Sequence, residues 1–157
     1  MYPSTLAEQC VYTCTQSIHA AAEDVFPLLC PMREHEWIPD WRARMIHSRS
    51  GVAEPGALFA TDSDIGETLW VVTTCTPPRS IQFVRFQPDG VVVVIDIDVA
   101  TMGDGSAQVH IRYAFTASTP DAGDAVRAFT PDHWTRMMRR WESLMNEFLA
   151  ARAIPSQ

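Results

Sequence analysis

Between Cys30 and Trp41 the sequence reads C-P-M-R-E-H-E-W-I-P-D-W, its densest run of side chains able to do chemistry. His35 and Glu36 are the candidate catalytic pair, placed to act as a polar anchor or proton donor at the mouth of an apolar pocket. The plainer reading packs Trp37 and Trp41 in the core and leaves Arg33, Glu34 and Glu36 solvated or paired, and both readings stay open. On a short α-helical turn Arg33 would share a face with Trp37, and Glu34 with Ile38, so these groups cannot all point inward. Cys30, His35 and Glu36 are all metal-ligand types. Their spacing fits no zinc pattern, however, and H-E-W-I-P puts Pro39 where H-E-x-x-H needs its second His, so no metal is expected.

A second candidate is Arg85, which shares a strand face with Ile81 and Phe83. A cation on an apolar face can lean its stem inward toward solvent or a carboxylate, or it can orient a carboxylate or enolate of a ligand. Trp70 shares a face with Thr68 and Val72 in the same way. No G-x-S-x-G, G-x-G-x-x-G or G-x-x-x-x-G-K occurs, and no cofactor is expected. All 12 basic residues are Arg. The missing lysine amine excludes Schiff-base and pyridoxal phosphate chemistry. An enzyme here would work by acid/base chemistry and positioning alone.

The elements that must position these groups follow from periodicity. Gln9 to His19 suits a first strand, Ala20 to Cys30 a short helix stopped near Pro31, and Arg33 to Ile38 a second short helix. Turn residues such as Pro55-Gly56, Pro77-Pro78 and Pro88-Asp89-Gly90 then divide the chain into strands at about 42–50, 57–63, 67–75, 80–87, 91–101 and 106–118. In V-V-V-V-I-D-I-D-V, the set Val91, Val93, Ile95, Ile97 and Val99 makes one apolar face, opposite Asp96 and Asp98. Val109, Ile111, Tyr113 and Phe115 repeat the pattern on the next strand. Thr130 as N-cap, Pro131 at the first position and Asp132 in the first turn open a helix to about Arg152. Its apolar stripe is Trp134, Met138, Trp141, Met145 and Phe148; Arg136, Arg139, Arg140 and Glu142 lie on the other face.

Length and composition bound the rest. The 157 residues suit one domain over 1–157 with one core, and the net charge of -7 with scattered basic residues argues against nucleic acid. No apolar run approaches the ~20 residues of a membrane span, and Met1 to Gln9 lacks the pattern of an export signal, so a cytoplasmic location without membrane insertion is expected. Cys10 and Cys14 would lie ~13 Å apart on an extended strand, so the cysteines are expected as reduced thiols.

A strand, two short helices, six meandering strands and a long capped helix is the element order of the START and birch-pollen-allergen (SRPBCC) superfamily. The segment S-I-H-A-A-A-E-D-V-F resembles that superfamily's passage from first strand to helix, and the final helix carries its Trp/Met face. C-P-M-R-E-H-E-W-I-P-D-W with E-T-L-W-V-V-T is similar to a subgroup of bacterial members. The resemblance implies an α+β helix-grip fold, in which a curved seven-stranded antiparallel sheet, two short helices and one long C-terminal helix enclose an apolar cavity. The expected cavity wall takes Trp70, Phe83, Arg85, Ile95 and Tyr113 from the strands, Trp37 and Trp41 from the charged stretch, and Trp134, Met138 and Trp141 from the helix. The implied function is binding of a small hydrophobic, lipid- or polyketide-like ligand as carrier or sensor. Polyketide aromatase/cyclase or dehydratase chemistry and a co-chaperone-like protein-binding role are the alternatives, and a homodimer is left open.

Overall fold

The computed structural model describes residues 7–153. Met1 to Leu6, on which most of the export-signal reading rests, lie outside the described residues. Strand β1 (Gln9–Ile18) runs into a single α-helical turn, α1 (Ala22–Val25), which tightens into a 3-10 helix at Phe26–Leu29. The expected second short helix is only a 3-10 turn, Glu34–Glu36. Then come β2 (Ala43–His47), β3 (Leu58–Ser63), β4 (Gly66–Thr76), β5 (Ser80–Phe86), β6 (Val91–Thr101) and β7 (Ala107–Ala117). These match the strands read from turn residues to within a few residues at each end. A 3-10 turn at Pro120–Ala122 and a short helix α2 (Gly123–Ala128) lead to the long helix α3 (Pro131–Ala153). Neither element between 118 and 130 belongs to the expected order, because each is too short to show a helical period.

The seven strands form one antiparallel sheet in the order β1-β7-β6-β5-β4-β3-β2. Neighbours in sequence are neighbours in space, except that β1 closes onto β7 from residue pairs Gln9 with Thr116 to Ile18 with Ala107. A register shift between Val72 and Thr74 bends β4, as a bulge does. Val91, Val93, Ile95, Ile97 and Val99 are all buried on the concave face, together with Val109, Ile111, Tyr113 and Phe115. The opposite face is less polar than its Asp96 and Asp98 suggest. Register aligns Val11, Ala114, Val94, Val84, Val71 and Leu58 as one apolar row across it, with Val11 and Leu58 exposed.

Helix α3 opens as its sequence requires: the Thr130 hydroxyl accepts a hydrogen bond from the backbone N–H of His133 at 3.2 Å. It grips the sheet along edge strand β1, whose free backbone groups need partners. The Trp134 indole N–H donates to the Thr13 carbonyl at 3.2 Å, and Gln16 Nε2 donates to the Met138 carbonyl at 2.9 Å. Farther along, Glu142 accepts from the Ser17 N–H at 2.7 Å, and Asn146 accepts from the His19 N–H at 2.8 Å. Glu142 therefore belongs to the strand-facing side of α3, not to its outer polar face as the stripe suggested. Residues 134, 138, 142 and 146 form one i+4 row along β1, and Met137, Trp141 and Met145 form the adjacent row.

Candidate functional site

The second row of α3 roofs a cavity of about 130 Å³ between the helix and the concave face. Trp70, Phe83, Arg85, Ile95 and Tyr113 line it from the sheet, together with Ile97, Val109 and Ile111. Leu29, Pro31, Glu34, Trp37 and Trp41 close one side, and Met137, Trp141 and Met145 the top. Trp134 and Met138, expected in the wall, do not line it. Trp134 instead stacks on Tyr12 at 5.7 Å and meets Tyr113 edge-on at 4.9 Å, inside an aromatic cluster with Phe129. Both residues sit on the row that faces β1, which is why the stripe read from sequence splits in two.

His35 and Glu36 also fall outside the lining, and both are exposed. Glu36 is tied to Arg33, whose Nε lies 2.8 Å from its carboxylate, and this pairing holds the Glu36 carboxyl below its usual range. The placement is a matter of helix type. A 3-10 turn repeats every three residues, so Arg33 eclipses Glu36 on the outside while Glu34 eclipses Trp37 on the inside. Glu34 is thus the carboxyl that reaches the cavity. The i+3 relation to a buried Trp was its signal in the sequence, hidden by assuming the α-helical period. Asp40, at φ 65°, then turns the chain so that Trp41 also packs inward.

The indole N–H groups of the wall are largely spoken for. Trp37 donates to the Leu28 carbonyl at 2.9 Å, Trp41 to the Pro31 carbonyl at 2.8 Å and Trp70 to the Thr61 hydroxyl at 2.9 Å. These rings show the cavity only their apolar surfaces. The polar side chains left to face the cavity are Gln16, Glu34, Arg85 and Tyr113. Burial pushes the Glu34 carboxyl up to about 8, so it is protonated at neutral pH. Burial likewise raises the Tyr113 phenol, against a smaller opposing pull from Arg85. Burial pulls Arg85 down from its ordinary value, yet a guanidinium stays charged. Arg85 is half-buried, with the cavity on one side and on the other an open cleft of about 410 Å³ edged by Asp40, Asp62 and Asp64. Trp41, Trp70 and Arg85 are the wall between the two.

Among the described residues no group of three or more His, Cys, Asp or Glu is placed to hold a metal ion. The four cysteines are unpaired thiols, and burial with nearby Glu142 pushes Cys14 up to about 11. No described helix is long and apolar enough to cross a membrane.

No protein-family model matches the sequence, and no curated protein matches it. Solved structures do. Truncated norcoclaurine synthase from Thalictrum flavum aligns with a TM-score of 0.66 at 12% identity, covering 91% of this chain and 97% of that one. Ara h 8.0201 aligns with a TM-score of 0.63 at 10% identity, over 90% and 99% of the two chains. The chain has the Bet v 1-type helix-grip fold. A Mesorhizobium loti protein shares this helix-grip fold with a TM-score of 0.61 at 16% identity, over 88% and 98% of the chains. The START and birch-pollen-allergen resemblance thus holds at the level of fold. At such identities a shared helix-grip fold says nothing about chemistry, which rests on the residues of the site.

Proposed function

We propose that this chain is a carrier or sensor that binds a small hydrophobic ligand in the cavity beneath α3. The observation that carries this reading is a largely apolar cavity with only a few inward-facing polar groups, the usual make-up of a small-molecule site. Its volume of about 130 Å³ is close to the ~150 Å³ of an apolar cavity that accepts benzene, so it favours a single ring over a lipid or a multi-ring polyketide.

Titration with p-cresol, indole and toluene, with a fatty acid and an aromatic polyketide as oversized controls, tests the proposal. A ligand at a hundred times its Kd is expected to stabilise the chain by about 2.7 kcal/mol, raising Tm by roughly 5–10 °C. Because Trp37, Trp41, Trp70 and Trp141 all line the cavity, Trp emission should shift or quench at the same concentrations. Binding that leaves the emission untouched would place the ligand elsewhere and end this reading.

A second reading, a cyclase- or dehydratase-type enzyme, is favoured by one observation: Glu34 faces the cavity with a pKa of about 8, where a general acid works at neutral pH. In that case the proton-transfer role passes from His35 and Glu36 to Glu34, and Glu34→Gln would lower turnover by roughly 10²–10⁴ while ligand affinity changes little.

A further inference from the structure

Among the described residues Arg85 is the one basic side chain in the cavity lining, and its surroundings do not neutralise it. Its Nε donates to Gln87 Oε1 at 3.0 Å, but among the described residues no carboxylate lies within 4.0 Å of the guanidinium. The negative charge acting on it is Asp89, on the far side of Gln87. Around the cation stand the rings of Trp70 at 5.3 Å, Tyr113 at 5.6 Å and Phe115 at 5.8 Å. Ring faces attract a cation but leave its charge in place. On the cavity side the guanidinium has water or ring faces and no anion as its neighbours, and a matching carboxylate there adds a charge-assisted pair.

Glu34, the only carboxyl in the lining among the described residues, lies more than 4.0 Å from the guanidinium, and burial raises its carboxyl toward the neutral form, so it does not supply that anion. Asp40, Asp62 and Asp64 edge the neighbouring cleft, which is open to water, and solvent screens them from the guanidinium. The chamber inside the wall keeps a net positive charge beside aromatic surfaces, in a space the size of one ring.

We propose that the ligand is a small aromatic acid whose ionised carboxylate pairs with the Arg85 guanidinium while its ring lies against Trp37, Trp70 and Trp141. This rests on the reading of the cavity as a ligand site and names the ligand's chemical class. A carboxylate fits the free Nη edge of a guanidinium through two parallel hydrogen bonds, which a neutral amide of the same shape cannot match.

Calorimetric titration of the whole chain at pH 6.5 with benzoate and phenylacetate, each against its own amide, decides the matter. The acids are expected to bind at least ten-fold tighter than the amides. Arg85→Gln should weaken the acids ten-fold or more and the amides less than three-fold. An amide binding as tightly as its acid, or Arg85→Gln weakening both alike, overturns the proposal; should that variant not fold, the wild-type ratio of acid to amide decides alone. If p-cresol or toluene binds and the acids do not, the aromatic-acid assignment fails and the cavity's role as a ligand site stands. If none of these compounds binds, both fall.

Discussion

Glu34→Gln is expected to stabilise the protein by about 2–3 kcal/mol at pH 8 and to leave it unchanged near pH 4. The carboxyl's folded pKa is about 8 against an ordinary 4.5, so below pH 4.5 both folded and unfolded states carry the proton and the group adds no pH dependence. Between these values the unfolded chain ionises while the folded one holds its proton. Stability then falls as pH rises, by up to about 1.36 kcal/mol per pH unit, and levels off above pH 8. The full interval would cost about 5 kcal/mol; water reaching the carboxyl through the cavity screens part of it, which sets the smaller figure. A neutral amide of the same shape escapes the penalty. Urea unfolding of both proteins at pH 4, 6 and 8 reads the effect directly. Glu36→Gln is the control: its carboxylate is exposed and surface-paired with Arg33, so it should shift stability by under about 1 kcal/mol. Equal behaviour of the two variants would show that Glu34 does not face inward.

Trp134→Ala and Trp141→Ala should separate stability from binding. Trp134 is buried, stacked on Tyr12, edge-on to Tyr113 and bonded to the Thr13 carbonyl, so its truncation removes the main clamp between α3 and β1. The expected cost is about 3–5 kcal/mol, with ligand affinity preserved at temperatures where the variant is folded. Trp141 lies one row over, half-buried in the cavity roof. Its truncation enlarges the chamber and should weaken a ring-sized ligand ten-fold or more, at a smaller cost in stability. Denaturant unfolding and ligand titration on the same preparations would check both; a Trp134 variant that lost affinity as much as the Trp141 one would contradict the two-row geometry.

How much of this could be read from the sequence depended on whether a local signal had one meaning. Strands β3 to β7 were legible because turn residues bracket alternating apolar runs, and a period of two has only one buried face. The Thr130-Pro131-Asp132 opening of α3 was equally clear. The charged stretch was harder, because over four residues the periods of a 3-10 turn and an α-helix differ by only one position. That one position exchanges Glu34 for Arg33 on the inner face. Helix α2, six residues opening at Gly123, is too short to show a helical period. The stripe on α3 misled for another reason. The helix packs against β1 along one row and over the cavity along the next, and hydrophobicity alone does not tell core from cavity wall. Trp37, Trp41, Trp70, Phe83, Arg85, Ile95, Tyr113 and Trp141 were placed in the lining because inward alternation or a buried aromatic fixed their direction without knowledge of depth.

The bonds that tie Trp37, Trp41 and Trp70 to Leu28, Pro31 and Thr61 make three of the chamber's walls stiff, whereas its roof is built from Met137, Met145 and the half-buried Trp141. Thioether chains turn through several rotamers at little cost, and a tethered indole does not. Tolerance in such a chamber is lopsided. For a ring-sized ligand, substituents directed at the sheet and the 31–41 stretch would meet the stiffer surfaces. Substituents directed at α3 would meet the more adaptable thioethers of the roof. If the cavity takes a ligand, tolerance is expected at the edge that lies under the helix and discrimination at the edge that meets the tethered indoles.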